Sequence, residues 1–461
     1  MEIKFGTDGW RGMMARDFTF DNVRTVSQAI AEYVKNLPPK QRCGGKVIVG
    51  YDRRFLSDVF ANEVARVLQG NKLSPVLLAE VLPTPAISYL THREKAFGVM
   101  VTASHNPPSY NGIKIKVGGR AAPLDVTQAV ESFLNTAHPV SNGDVARKSY
   151  RKHYLDWLRS KVACGPLANL KQPVIVDYLY GCASGMLEEL VRSKKLITLH
   201  SRWDPTFGGL NPEPIEKNLQ ELIARVKQEK ALIGIALDGD ADRIGLIDDQ
   251  GRYLTPCQVF PMLMEYLITV KKIKGKVVQS VSMGYLSARI AKAYNLPFEE
   301  LPVGFKHVAQ QLATGQAAMG GEESGGYAWK GILPERDGLM TALLVLEMCH
   351  KLKKTPSQIW ADIEKKYGKS YFQRIDFILN KPVADKQVFA DKLKKKLPKK
   401  ILDTPIRQLL DIDGLKVILE NDHWILIRPS GTEPLIRTYA ESDSPQKTKT
   451  LLELAKKWSN A

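Results

Sequence analysis

Short β-branched runs, each followed by a stretch with helical periodicity, recur along the chain. Lys46-Val-Ile-Val-Gly-Tyr, Pro173-Val-Ile-Val-Asp-Tyr and Lys276-Val-Val-Gln-Ser-Val read as buried strands. In Phe60-Ala-Asn-Glu-Val-Ala-Arg-Val-Leu the apolar positions fall three and four apart, which predicts a helix with one buried face. A Pro-bearing loop then recurs at Leu82-Pro-Thr-Pro-Ala, Leu210-Asn-Pro-Glu-Pro and Leu301-Pro-Val-Gly-Phe. Each unit ends in a dense polar segment: Thr102-Ala-Ser-His-Asn-Pro, Asp238-Gly-Asp-Ala-Asp-Arg and Gly321-Glu-Glu-Ser-Gly-Gly. This order predicts three related α/β domains with mixed sheets, their polar loops gathered on one cleft, because ligands collect at the carboxyl ends of strands in open α/β sheets. Past about residue 369 the pattern changes to alternating strands and a final helix from about Ser444. The lysine-rich stretch 386–400 reads as a helix with a solvated face. A smaller C-terminal α+β domain is expected there. The division this predicts is 1–150, 151–253, 254–368 and 369–461, four domains where length alone suggests about three.

Composition narrows the function classes. With 461 residues, 44% hydrophobic and 25% charged, the chain can bury large cores without cross-links. Its longest apolar stretch, Leu339–Leu346, is far shorter than the ~20 residues of a membrane-spanning helix. The N-terminal residues lack a signal peptide's apolar centre. Five cysteines without a Cys-x-x-Cys pair offer neither a zinc cage nor a disulfide framework, so a reducing cytoplasm is the expected compartment. The formal charge of +17 attracts anions. Much of the excess lies in solvated runs such as Lys392–Lys400 and Lys271–Lys276, without interleaved aromatics, zinc fingers or an RRM signature. That argues against nucleic acid as the partner.

The loops carry the chemistry. Ser104 follows an apolar strand, Phe97-Gly-Val-Met-Val, with His105 beside it and Lys114 on the following strand. It reads either as a turn former or as a nucleophile held at a strand end. No Gly-x-Ser-x-Gly elbow is present, which disfavours acyl transfer. Asp238, Asp240 and Asp242 alternate around Gly239 and can turn inward on one hard cation such as Mg²⁺. An EF-hand is excluded, because its sixth position is Arg243 and its twelfth Asp249. Arg243 then suits a phosphate beside the metal. Gly320–Gly326 joins acids and a hydroxyl that fit sugar hydroxyls, and equally fit a glycine-rich turn. Arg428, Ser430, Gly431 and Thr432 sit in a turn leading to Leu435-Ile-Arg-Thr, and form either an anion nest or a tight hairpin. Arg11 lies in a glycine-rich N-terminal turn and Lys306 in Val-Gly-Phe-Lys.

Taken in order, FGTDGWRG, TASHNPPSYNGIKIK, DGDADR, VGFK, GEESGG and RPSGTEP resemble the α-D-phosphohexomutase superfamily, in its phosphoglucomutase/phosphomannomutase members. The resemblance covers the whole chain. It implies four domains around a central cleft, and an isomerase that interconverts hexose 1-phosphate and hexose 6-phosphate through a phosphoserine and a hexose 1,6-bisphosphate. Ser104 would carry the phosphoryl group; Asp238, Asp240 and Asp242 would hold Mg²⁺ with it. Arg11, His105, Lys114 and Arg243 would surround the reacting phosphoryl. Glu322 and Ser324 would read sugar hydroxyls, and Arg428, Ser430, Gly431, Thr432 and Arg437, with Lys306, would complete substrate binding. Glucose 1,6-bisphosphate, or the matching hexose bisphosphate, is the implied activator, and the partner is a small phosphosugar, with no nucleic acid or membrane. A monomer or homodimer is expected. The Glu322-Glu-Ser-Gly segment looks like the glucose/mannose type, whereas phosphoglucosamine mutases usually show Glu-Gln-Ser-Gly-His. Glucose is thus the first expectation, mannose possible beside it, with glucosamine phosphate, or a catalytically idle sugar-phosphate binder, as alternatives.

Overall fold

A computed structural model describes all residues except 1, 2, 7, 137, 142, 380–382, 384, 431–433 and 461, and leaves out the side chain of Asn460. The chain forms two compact units: Met1–Tyr253 with Leu312–Thr314 and Gly325–Pro356, and Leu254–Gln311 with Gly315–Ser324 and Ser357–Ala461.

In the first unit, the β-branched run at Lys46–Tyr51 is a central strand. It pairs in parallel with Ser74–Leu78 on one side and Phe97–Val101 on the other. Tyr110–Val117 then runs antiparallel to Phe97–Val101, and Trp10–Met13 antiparallel to Tyr110–Val117, so the sheet is mixed. The periodic segment around Phe60 is the helix Ser57–Gly70, which buries Phe60, Ala61, Val64, Val67 and Leu68. Phe60 meets Phe18 edge-on at 4.8 Å, and Phe18 stacks on Trp10 at 4.9 Å. Such aromatic pairs add roughly 0.5–1.5 kcal/mol beyond their buried area. A second mixed sheet runs in the order Ile244–Ile247, Ile233–Leu237, Val174–Asp177, Leu196–Leu199. The apolar run at 339–346 belongs to Gly338–Leu352, a helix buried nearly all round and capped by Asp337 accepting from the Met340 N–H at 2.9 Å. No helix among the described residues is long and apolar enough to cross a membrane. All five cysteines are free thiols.

In the second unit, three strands pair in parallel, in the order Phe298–Leu301, Val277–Ser280, Met319–Glu322. The C-terminal region is a six-stranded antiparallel sheet, ordered Tyr371–Ile378, Leu435–Ser442, Trp424–Pro429, Leu415–Leu419, Thr404–Leu410, Lys400–Ile401. The final helix, Pro445–Asn460, packs its apolar face on this sheet through Leu451, Leu452 and Ala455. The lysine-rich helix is shorter than its composition implies. It spans Lys386–Lys394, and by Lys400 the chain is a strand, because Pro398 cannot continue a helix. The fold class is therefore three α/β domains with mixed sheets followed by an antiparallel C-terminal domain.

A buried carboxylate ties the parts of the second unit together. Glu441 accepts hydrogen bonds from the Trp424 indole at 2.6 Å, from the Tyr285 N–H at 2.7 Å and from the Ser370 hydroxyl. Burial raises its pKa from the usual glutamate value, against the lowering effect of these hydrogen bonds. Glu441→Ala strands these donors, and should destabilise the second unit by about 3 kcal/mol, read as a lower urea midpoint at unchanged m-value.

Candidate active site

Ser104 sits just past the end of the strand Phe97–Val101, in the left-handed region with φ +54°. For a residue with a Cβ that conformation costs on the order of 1 kcal/mol and persists only where the surroundings fix it. Arg54 does much of the fixing. Fully buried, its guanidinium donates to the carbonyls of Ser104 (2.7 Å), Asn106 (2.6 Å), Pro107 (2.7 Å) and Tyr110 (2.9 Å). The Ser104 N–H donates to the Thr102 hydroxyl at 2.9 Å, and that hydroxyl donates in turn to Asp52. The loop is therefore held by backbone bonds, and its serine side chain is left to face the aspartates. The Ser104 hydroxyl donates to Asp238 at 2.9 Å and lies 3.4 Å from His105 Nδ1. His105 is pushed well below its usual pKa, by burial first and then by the neighbouring Arg243, Arg11 and Lys114, so its ring is neutral. Arg11 reaches the same loop by donating to the Asn106 side chain at 2.7 Å.

Asp238, Asp240 and Asp242 leave the end of the strand Ile233–Leu237 fully buried, each offering an oxygen within 4.8 Å of the others. Gly239 is required: a Cβ there would lie 2.5 Å from the Ser104 carbonyl oxygen, so only glycine lets the two loops close. Like charges this close must be compensated. Lys114 Nζ bridges Asp240 (2.8 Å) and Asp242 (3.0 Å), and Arg336 reaches Asp242 at 2.6 Å. Asp8 binds both cations from the far side, Lys114 at 2.8 Å and Arg336 at 3.0 Å. Thr84 donates its hydroxyl to Asp240. Burial opposes the charge on Lys114, yet Asp240, Asp242 and Asp8 outweigh it and hold the ammonium well above its usual pKa. Asp238 moves the other way, raised by burial and then by Asp242 and Asp240, with Arg243 only partly offsetting them. Among the described residues, the buried Oδ1 atoms of Asp240 and Asp242 have no hydrogen-bond partner. An all-oxygen donor set with unpartnered carboxylate oxygens fits a hard divalent cation. Arg243 lies at the rim, 3.8 Å from both Asp242 and Glu213.

The second unit holds another set. Arg428 is next to last in the strand Trp424–Pro429, opposite Arg437, so both guanidinium stems leave one face of the sheet. Arg437 lies 3.7 Å from Asp376, and Arg428 donates from Nε to Asp413 at 2.7 Å. Ser324 donates to Glu322, while the neighbouring Glu323 pairs with Arg374 at 3.0 Å. His307 senses Lys306, Asp413 and Glu322 together, and burial, then Lys306, lowers its pKa. Ser430 is buried at the strand end; Gly431 and Thr432 lie outside the described residues.

The sequence does not single out Arg54, Asp8, Thr84 or Arg336 by role. Asp8 and Thr84 stand inside segments whose composition marks them, FGTDGWRG and LPTPA. Arg54 and Arg336 carry no such signal, because their importance is the company that folding gives them.

Four family models match in order: phosphoglucomutase/phosphomannomutase alpha/beta/alpha domain I over residues 2–140, domain II over 152–251, domain III over 255–367, and the C-terminal domain over 378–456. A "Probable phosphoglucosamine mutase" of Methanosphaera stadtmanae is 31% identical over 99% of this chain and 98% of its own. A "Phosphoglucomutase/phosphomannomutase" of Thermococcus kodakarensis is 30% identical over 98% of this chain and 97% of its own. Among solved structures, that of a "putative phosphomannomutase" from Thermus thermophilus superposes with a TM-score of 0.88 at 30% identity, covering all of both chains. The chain is a member of the α-D-phosphohexomutase superfamily, in its four-domain phosphoglucomutase/phosphomannomutase family, and is an isomerase of phosphohexoses.

Proposed function

We propose that this phosphohexomutase exchanges a phosphoryl group between Ser104 and either end of a hexose phosphate, by way of a hexose 1,6-bisphosphate. The observation that supports the reading best is the Ser104 hydroxyl bonded at 2.9 Å to Asp238 of a buried three-aspartate cluster. When bound by Asp238, Asp240 and Asp242 with the Ser104 oxygen, Mg²⁺ supplies Lewis-acid polarisation of the transferring phosphoryl. The remaining work falls to side chains. Phosphoryl transfer passes through a loose transition state, so positioning and charge neutralisation set the rate. Lys114 and Arg11 supply positive charge beside the serine, and neutral His105 can accept the proton of the attacking hydroxyl and, once protonated, return it to the leaving oxygen. Arg243 holds the reacting phosphate from the rim.

Arg428, Ser430 and Arg437 take the phosphate that does not react, with Gly431 and Thr432 completing that loop. Binding energy from this remote group orients the reacting oxygen. Glu322 and Ser324 read the sugar hydroxyls, and Lys306 adds charge beside them. Both isomers use one phosphate loop, because the sugar turns between the two transfers. A hexose 1,6-bisphosphate primes the serine.

The sugar is ranked by relatedness. The name borne by the Methanosphaera relative puts glucosamine phosphate first, ahead of the glucose expected from the sequence segment at Glu322. Glucose and mannose phosphate form the second reading, favoured by that same Glu-Glu-Ser-Gly segment and by the Thermococcus relative.

Ser104→Ala is expected to abolish turnover while sugar-phosphate affinity, read by calorimetry, changes by less than about threefold. Retained turnover would refute the phosphoserine. Asp240→Asn should weaken Mg²⁺ binding in a calorimetric titration by about tenfold or more, with loss of activity in parallel. A side-by-side assay of glucosamine, glucose and mannose 1-phosphates, with Mg²⁺ and the matching bisphosphate, should give the highest kcat/KM for glucosamine phosphate. Higher values for glucose or mannose would install the second reading. Silence on all three, with Ser104 unphosphorylated and no rescue by bisphosphate, would indicate an idle binder.

A further inference from the structure

Resting on the reading of Arg428 as a phosphate-binding residue, we propose that Asp413 is the positioning residue that aims Arg428 at the non-reacting phosphate. Its side chain is 9% exposed and joins three segments of the second unit. It accepts from Arg428 Nε at 2.7 Å, from Lys386 Nζ at 2.8 Å and from the Val303 N–H at 3.3 Å. The Arg428 bond is charge-assisted and made at Nε. A bond there fixes the plane of the guanidinium, and the forked edge offered to an anion follows from that plane. The Val303 bond reaches the segment that carries Lys306, so one carboxylate registers both cationic elements.

The backbone shows why this residue is held so close to Arg428. Gly414, next to Asp413, has φ +92°, and a Cβ there would meet the Ile427 carbonyl oxygen at 2.5 Å and Arg428 Cα at 2.8 Å. Only glycine permits the turn to press against the strand at Arg428, which delivers the Asp413 carboxylate to Nε. Of the groups on it, Arg428 and then Lys386 lower the Asp413 pKa against the opposing effect of burial, so it is an anion at neutral pH.

An anion beside a phosphate site is a paradox on charge alone. A carboxylate repels a dianionic ligand, so a purely electrostatic Asp413 predicts tighter substrate binding when its charge is removed. A positioning Asp413 predicts weaker binding. The two accounts differ in sign.

The experiment measures calorimetric affinity for glucosamine 6-phosphate and glucose 6-phosphate, using the full chain with Mg²⁺ in a Ser104→Ala background. Asp413→Asn should weaken both by about tenfold, Asp413→Glu should recover part of the loss, and Asp413→Asn should add less than about twofold in an Arg428→Ala background. Arg428→Lys keeps the charge but has no Nε–H, and should match the Asp413→Asn loss without any change at position 413. Unchanged or tighter binding in Asp413→Asn overturns the proposal. So does a full tenfold loss that persists in the Arg428→Ala background, because Asp413 would then act by another route. If Arg428→Ala itself binds both ligands like the parent, the phosphate-loop reading falls, and the proposal with it. Should Asp413→Asn fail to fold by circular dichroism, Arg428→Lys decides alone: parent-like affinity overturns the proposal.

Discussion

Three aspartates buried within 4.8 Å of each other are the constraint around which the first unit is organised. Left to themselves they would repel one another and lose their hydration, a penalty of several kcal/mol for each ion. The chain answers with buried cations from two distant places in the sequence, Lys114 and Arg336, and steadies those with Asp8. A mixed sheet is what makes this possible. Because Tyr110–Val117 runs antiparallel to Phe97–Val101, Lys114 returns toward the loop that carries Ser104. The compensation is incomplete, since among the described residues Oδ1 of Asp240 and of Asp242 has no hydrogen-bond partner. A partly compensated cluster with spare oxygens is stable enough to fold and still fits a divalent cation.

The serine loop shows a second use of buried charge. Arg54 binds four carbonyls and no solvent, converting a strained turn into a rigid one. Backbone carbonyls in a tight loop would otherwise be costly to bury, about 1–3 kcal/mol for each one left unpaired. In the second unit Asp413 and Glu441 play the matching part with opposite sign, each an acidic side chain that collects donors from separate segments. The Ser104 loop and the Arg428 side chain are thus each held by a buried charged group. This fits a reaction in which positioning outweighs covalent chemistry.

Much of the net charge of +17 has no counterpart in these clusters. Lys392, Lys395, Lys396 and Lys399 are largely exposed, around a helix that ends sooner than its composition suggests.

Read alone, the sequence determined the strands, the order of the polar loops and the chemistry each loop can offer. These are local properties: β-branched runs, helical period and carboxylates at alternate positions persist whatever lies nearby. It also placed Ser104 and the Asp238–Asp242 loop at strand ends, where the structure has them. What only tertiary structure decided is which charges meet. Nothing in the sequence around Arg54, Arg336 or Asp413 distinguishes them from solvated ions, and the segment that marks Asp8 does not show its partners, because the pKa and purpose of a charged group depend on neighbours brought from far along the chain. The same reason governs the glycines: Gly239 and Gly414 read as ordinary turn residues until the backbone opposite each shows that a Cβ would not fit. Composition names the candidate groups, and long-range packing, through burial and the distances it sets, selects the ones that act.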